Sequence, residues 1–191
     1  MRRVVVTGLG LVTPLGVGVD FVWDNLIKGN SGIGKIENFD TEDLPVKIAA
    51  QIPRGDDLGS YNPDDWLDPK EQRKVDEFIT YAICASDQAI KDSGLEEKEI
   101  SNFKTGIVMG SGGPSIENVI LAADKTRAKT PKLMGPFIVP RTMASTASAT
   151  LAVPFKIKGV NYTMSSACAT SGHLSLIHIS EPTRRTPISY A

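Results

Sequence analysis

The order of apolar and polar residues along the chain predicts an alternation of strands and helices. Short apolar runs bounded by glycine and proline predict strands, whereas apolar residues spaced three or four positions apart predict helices. The predicted strands are Val4–Val6, which we expect to be buried, and segments around 46–51, 105–110 and 160–164; the predicted helices run from Asp20 to about Gly29, over about 70–93, from 112–115 to about 127, and over about 138–153. This alternation indicates an α/β fold.

The composition is that of an ordinary globular protein. The 191 residues are 41% hydrophobic and 23% charged, which argues against disorder, collagen and coiled coil. No apolar stretch reaches the roughly 18 residues of a membrane helix, and the apolar start is too short for a secretory signal, so we expect a cytoplasmic protein. Two cysteines do not make a disulfide framework, and two histidines leave little material for a metal site, so we expect neither a metal nor a cofactor.

The formal net charge of −1 hides an uneven distribution. Residues 1–103 carry 11 basic and 19 acidic side chains, hence −8, whereas residues 104–191 carry 10 basic and 3 acidic ones, hence +7. Lys125, Arg127, Lys129 and Lys132 lie within eight residues of one another. They form either a solvated face or a docking surface for an anionic partner. Nucleic acid is a poor candidate because the pI is near 6.1 and no recognition motif is present.

A glycine-rich loop follows the first predicted strand. Gly8 and Gly10 match the first two glycines of the dinucleotide-binding fingerprint, but Thr13 stands at the third position and Pro14 breaks the expected helix start. The loop is therefore interpreted as a tight structural turn.

The strongest chemical signal is the segment from Ser165 to His173. A predicted strand ends there in small residues, and Cys168 stands where a helix is expected to begin, which is the arrangement of a nucleophile elbow. Free backbone N–H groups at a helix start stabilise negative charge, and the thiolate is the attacking form of cysteine. The residues alone leave two readings open: Cys168 is a nucleophile, or it is a small buried hydrophobe. Cys84 lies on the apolar face of its helix, so we expect it to be structural.

Five segments carry residues typical of one family: Met1–Gly16, Leu67–Asp76, Gly135–Ala144, Pro154–Tyr162 and Ser165–Ser171. Together they resemble the β-ketoacyl-[acyl-carrier-protein] synthases, over about residues 1–173. Residues 1–95 look more like the type II enzymes and about 105–173 more like type I. Two hypotheses stay open: a join between two related genes around residues 95–105, or a genuine intermediate between the two types.

The resemblance implies a thiolase-like α/β fold of two similar halves, of which this chain is the N-terminal half. It implies an enzyme of fatty-acid elongation in which Cys168 takes an acyl group from acyl-carrier protein and the carbanion from malonyl-carrier protein attacks the resulting thioester. The backbone N–H of Cys168 is then part of the oxyanion hole. Family members are homodimers, with the strand at about 160–165 at the interface. The positions that dock the acidic carrier protein fall on Lys70, Arg73, Lys129 and Lys132.

Two departures limit the resemblance. The catalytic histidines and lysine of the family lie in its second half, so we expect the chain alone not to condense, and His173 is interpreted as a structural helix residue. The resemblance stops at Leu174, so residues 1–173 are predicted to be the N-terminal synthase domain and 174–191 a non-native or disordered tail. The tail resembles translated sequencing adapter, and a genuine divergent tail is the alternative. Two other function classes stay open: a thiolase-like or hydrolytic cysteine enzyme, and a non-catalytic partner subunit.

Overall fold

A computed structural model describes residues 4–128 and 130–176. The strands are β1 (Val12–Thr13), β2 (Gly16–Val17), β3 (Ile33–Lys35), β4 (Ile48–Ala50), β5 (Ile107–Gly110) and β6 (Asn161–Met164). The helices are α1 (Val19–Ile27), α2 (Pro69–Gln72), α3 (Glu77–Ser93), α4 (Glu97–Ile100), α5 (Ile116–Ala128), α6 (Ile138–Thr142), α7 (Thr146–Ala152) and α8 (Thr170–Ser175), with short 3-10 helices at Pro63–Asp65 and Pro131–Met134. Within the described ranges, no helix combines the length and apolarity needed to cross a bilayer.

The chain divides into two compact units. The hairpin unit consists of residues 8–72 and 80–94, and it contains the antiparallel pairs β1–β2 and β3–β4. The parallel-strand unit consists of the described parts of 1–7, 73–79 and 95–191, and it contains the parallel pair β5–β6.

In the hairpin unit, the glycine-rich loop lies directly against α3. A Cβ atom added to Gly8 would lie 2.0 Å from the carbonyl oxygen of Ala89, and one added to Gly10 would lie 1.8 Å from that of Ala85. The Gln88 side-chain amide accepts the N–H of Leu11 at 3.1 Å and donates to its carbonyl at 3.2 Å. The two glycines therefore serve close packing of the loop backbone on the helix.

The parallel-strand unit is built on four paired positions, from Ile107 opposite Asn161 to Gly110 opposite Met164. The connection between the strands carries α5, α6 and α7, and α7 packs against both strands. Ser148 of α7 is buried. Its backbone carbonyl accepts a hydrogen bond from the Asn161 side-chain amide at 3.1 Å, and its hydroxyl accepts one from the Thr163 hydroxyl at 2.8 Å. The small side chains of α7 thus allow a helix to sit close to the strands and hydrogen-bond to them.

The strand predicted at Val4–Val6 is wrong. The three valines have no strand assignment and are exposed, with Val5 57% accessible. A strand exists only when a neighbouring strand supplies hydrogen bonds, and no strand among residues 4–128 and 130–176 pairs with these valines. The remaining predicted strands are present in shortened form as β4, β5 and β6, whereas β1, β2 and β3 were not predicted.

Two predicted helices are each divided in two. The helix expected over 70–93 becomes α2 and α3, because the Asp76 carboxylate accepts the N–H of Phe78 at 3.2 Å and starts a new helix. The helix expected over 138–153 becomes α6 and α7, and here the Thr142 carbonyl accepts the N–H of Ser115 at 3.2 Å, which diverts it from a continuous helix. The helix predicted from Asp20 is confirmed as α1, although its N-cap is Gly18.

Asp76 connects the starts of α3 and α5 within the parallel-strand unit. Its second carboxylate oxygen accepts the Ser115 hydroxyl and, at 2.5 Å, the Asn118 side-chain amide. Ser115 and Asn118 are both buried, so water cannot replace Asp76 as their hydrogen-bond partner. One carboxylate therefore satisfies polar groups from two helices.

We predict that Asp76→Ala lowers the free energy of unfolding by about 1–3 kcal/mol, since it removes the acceptor of the buried Ser115 hydroxyl and one of the two acceptors of the buried Asn118 amide. Urea unfolding of the chain measures this. Asp43→Ala, which removes an exposed carboxylate, is the control and should change stability by no more than about 0.5 kcal/mol. Equal effects of the two substitutions would contradict the connecting role of Asp76.

Candidate active site around Cys168

The carboxyl ends of β5 and β6 lie side by side, and each leads into a loop of small residues. Gly110 and Met164 are paired, and the N–H of Ser111 donates to the Met164 carbonyl at 3.3 Å. The segments 111–115 and 165–169 therefore start from the same edge of the strand pair. In α/β proteins this edge is where ligands and reacting groups are placed.

Cys168 lies on the tight turn between β6 and α8. Ala167 has a φ of 49°, a left-handed conformation that costs an L-residue about 1–2 kcal/mol. The N–H of Ala169 donates to the Ser166 carbonyl at 3.0 Å, and that of Thr170 donates to the Ala167 carbonyl at 3.2 Å. The Cys168 side chain is exposed. The predicted strand-to-helix turn is confirmed, but α8 begins two residues after Cys168 rather than at it.

Glycines on the β5 side allow this turn to come close. A Cβ atom at Gly110 would lie 2.5 Å from Thr170 Cγ2 and 2.6 Å from Leu174 Cδ1, so α8 rests on bare backbone there. A Cβ atom at Gly112 would lie 3.6 Å from the carbonyl oxygen of Ala167. Any larger residue at Gly110 would push α8, and Cys168 with it, away from the strand end.

The backbone N–H of Cys168 is available for a ligand. In the described part of the chain, the N–H groups of Ser166, Ala169 and Thr170 form hydrogen bonds inside the turn, and that of Cys168 forms none. A backbone N–H beside an exposed thiol can donate to an oxyanion that forms on a carbonyl attacked by that thiol. His173 lies in α8 with its side chain exposed.

Cys84 has the opposite environment. It is 0% exposed in the core of the hairpin unit. Desolvation by burial raises the pKa of its thiol to about 11, although a hydrogen bond from the Gln88 amide, at 3.3 Å, opposes the shift. The predicted structural role of Cys84 agrees with this burial, because a thiol held protonated and covered is inert.

The predicted docking residues fall in both units. Lys70 is exposed on α2 in the hairpin unit, whereas Arg73 and Lys132 are exposed in the parallel-strand unit, and Lys129 lies outside the described residues. Lys125 and Arg127 lie in the last turn of α5, where Arg127 contacts Asp124 at 3.7 Å. The docking role of Lys70, Arg73, Lys129 and Lys132 therefore stays a prediction.

Sequence reasoning missed the residues that shape the turn. Ala167, Thr170 and Gly110 were not singled out, although they set the conformation and the seat of the segment that carries Cys168. The only available signal was the run of small residues on both sides of the cysteine. The boundary predicted at residue 173 falls inside α8, and residues 177–191 of the predicted tail lie outside the described residues.

We predict that iodoacetamide labels Cys168 of the native chain at least about 100-fold faster than Cys84, because the buried thiol reacts only after the core opens. Mass spectrometry of peptides after timed labelling at pH 8 gives both rates from one sample. Labelling in denaturant is the control and should make the two cysteines similar. Comparable rates in the native chain would contradict the difference in exposure between Cys168 and Cys84.

Comparison with known proteins identifies the family. A model of the beta-ketoacyl synthase N-terminal domain matches residues 1–182. 3-oxoacyl-[acyl-carrier-protein] synthase 2 of Rhizobium meliloti (strain 1021) is 42% identical over 175 residues, which cover 91% of this chain and 42% of the relative. 3-oxoacyl-[acyl-carrier-protein] synthase 1 of Haemophilus influenzae (strain ATCC 51907 / DSM 11121 / KW20 / Rd) is 40% identical over 174 residues, covering 91% and 41%.

A solved structure supports the same assignment. The structure of the ishigamide ketosynthase/chain length factor superposes with a TM-score of 0.78 at 26% identity, and the match covers 94% of this chain and 45% of that one. This confirms the predicted thiolase-like α/β fold and the position of the chain in its N-terminal part. The chain spans about two fifths of the length of the curated relatives it matches. It belongs to the beta-ketoacyl synthase family and contains the N-terminal domain of that family.

Proposed function

We propose that the chain is the nucleophile-bearing part of a 3-oxoacyl-[acyl-carrier-protein] synthase, which lengthens acyl chains by decarboxylative condensation. The observation that carries the proposal is the exposed thiol of Cys168 on a strained turn, beside a backbone N–H that has no partner in the described part of the chain. The names of the relatives supply the substrate class, an acyl group on a carrier protein.

In the first step, the Cys168 thiolate attacks the carbonyl carbon of the acyl-carrier-protein thioester. The negative charge that develops on the carbonyl oxygen is stabilised by the N–H of Cys168. Collapse of the tetrahedral intermediate breaks the bond to the carrier thiol, which leaves with the displaced electron pair and is then protonated. The acyl group is now a thioester on Cys168.

In the second step, malonyl-carrier protein loses carbon dioxide, and the resulting carbanion attacks the acyl-Cys168 carbonyl. The bond to Cys168 breaks, the thiolate is regenerated, and a 3-oxoacyl-carrier protein two carbons longer is released. The resemblance assigns decarboxylation to two histidines and a lysine of the second half of the family. The part of the chain described here therefore supplies the acyl-transfer step.

The basic residues give this proposal a docking partner. The acidic carrier protein would contact Lys70, Arg73, Lys129 and Lys132, of which Lys70, Arg73 and Lys132 have exposed side chains. Opposite charges favour the encounter of the two proteins and orient it. We further propose that the enzyme is a cytoplasmic homodimer, since the resemblance places β6 at the dimer interface and its residues Asn161 and Tyr162 are exposed.

Acyl transfer tests the proposal directly. Incubation with acyl-carrier protein should add one acyl group to the wild-type chain, and peptide mass spectrometry should place it on Cys168. Cys168→Ala should accept none, because it lacks the nucleophile, whereas Cys84→Ala is the matched control and should be acylated like the wild type. Acylation of Cys168→Ala, or none in the wild type, would contradict the proposal. Steady release of free fatty acid would favour the hydrolytic alternative.

Charge reversal tests the docking surface. Lys132→Glu should weaken binding of acyl-carrier protein roughly threefold to tenfold at low salt, since it replaces one attraction with one repulsion. The difference should shrink as ionic strength rises. Lys104→Glu is the matched control, because Lys104 is exposed and precedes the amino end of β5, away from the strand end that leads to Cys168. Equal weakening by both variants, measured by calorimetry, would contradict a specific docking role.

A further inference from the structure

We propose that Thr170 is the positioning residue that holds Cys168 in its reactive placement. We assign Thr170 no contact with the substrate or with the thiol; it acts on Cys168 through the backbone of the turn. The inference deepens the proposed function, on which its catalytic meaning rests. The hydrogen bonds that support the inference, however, involve only residues that the structure describes.

The Thr170 hydroxyl closes a ring around the cysteine. It accepts the backbone N–H of Ser166 at 2.7 Å and donates to the backbone carbonyl of Ala167 at 2.8 Å. The two backbone groups lie just before Cys168, and Thr170 itself lies just after it. One side chain thus ties the incoming strand to the first turn of α8, with Cys168 on the segment in between.

Burial makes these two bonds difficult to replace. Thr170 is only 5% exposed, so water cannot readily take over when its hydroxyl is removed. The N–H of Ser166 would then lose the Thr170 hydroxyl as its partner, whereas the carbonyl of Ala167 would keep only the N–H of Thr170, at 3.2 Å. The ring also holds Ala167 in its left-handed conformation, a state that persists only where surrounding contacts enforce it.

The methyl group of Thr170 packs against the end of β5. It faces Gly110, where an added Cβ atom would lie 2.5 Å from the methyl carbon, so this contact positions α8 at the strand end. Hydroxyl and methyl can be removed separately. Thr170→Val keeps the branched shape and the methyl contact but loses the hydroxyl, whereas Thr170→Ser keeps the hydroxyl and loses the methyl.

The two variants separate positioning from simple stability. We expect Thr170→Val to lower the rate constant of acyl transfer at saturating acyl-carrier protein at least tenfold, with KM within twofold of the wild type. In the same variant, iodoacetamide should alkylate Cys168 at least threefold more slowly than in the wild type. Thr170→Ser should keep both rates within threefold, although urea unfolding should show that the missing methyl contact lowers its stability relative to the wild type.

A coupled variant tests the role of Ala167. Glycine adopts a positive φ without strain, so Ala167→Gly should make the loss caused by Thr170→Val smaller than it is in the wild-type background. Additive effects of the two substitutions would contradict the ring as the device that holds the turn.

The inference and the proposed function fail in different ways. If wild-type Cys168 is acylated and Thr170→Val matches Thr170→Ser in both rates, or both variants lose activity in proportion to stability, the positioning role is overturned and the function stands. If the wild type is not acylated, the proposed function fails. The alkylation rates of the two variants then still decide whether Thr170 positions the thiol.

Discussion

The parallel pairing of β5 and β6 is the constraint on which the candidate site depends. Parallel strands end at the same edge, so pairing Gly110 with Met164 brings the loop after β5 next to the turn that carries Cys168. The long connection through α5, α6 and α7 satisfies the geometry of a parallel crossover, and α7 covers the strands with small side chains. If the register shifted by one residue, Gly110 would no longer face Thr170.

At that edge, the chemistry relies on backbone groups and small residues. Bare backbone at Gly110 admits α8, the left-handed Ala167 turns the chain sharply, and the N–H of Cys168 has no hydrogen-bond partner among residues 4–128 and 130–176. The two cysteines show that the position in the fold determines the accessibility of a thiol: Cys168 is exposed on a turn, whereas Cys84 is covered and its burial keeps the thiol protonated.

The sequence predicted features that depend on local pattern and missed those that depend on distant partners. A strand-forming run ending in small residues correctly predicted β6 followed by a strand-to-helix turn at Cys168, although the exposure of the thiol was left open. The same type of run at Val4–Val6 was wrong, because no pattern shows whether a neighbouring strand is present. Helix spacing could not reveal the break at Asp76, where a side chain competes for backbone N–H groups. The hydrogen bonds of Thr170 were invisible for a similar reason, since a threonine after a cysteine has many possible partners.

A crystal structure of the chain with an acyl group on Cys168 would show whether the turn is built for acyl transfer. We expect the thioester carbonyl oxygen to lie about 3 Å from the backbone nitrogen of Cys168. We also expect Ala167 to keep its left-handed conformation, with the Thr170 hydroxyl still bound to Ser166 and Ala167. An acyl carbonyl directed away from that nitrogen, or a turn relaxed to negative φ at Ala167, would contradict acyl transfer assisted by this turn.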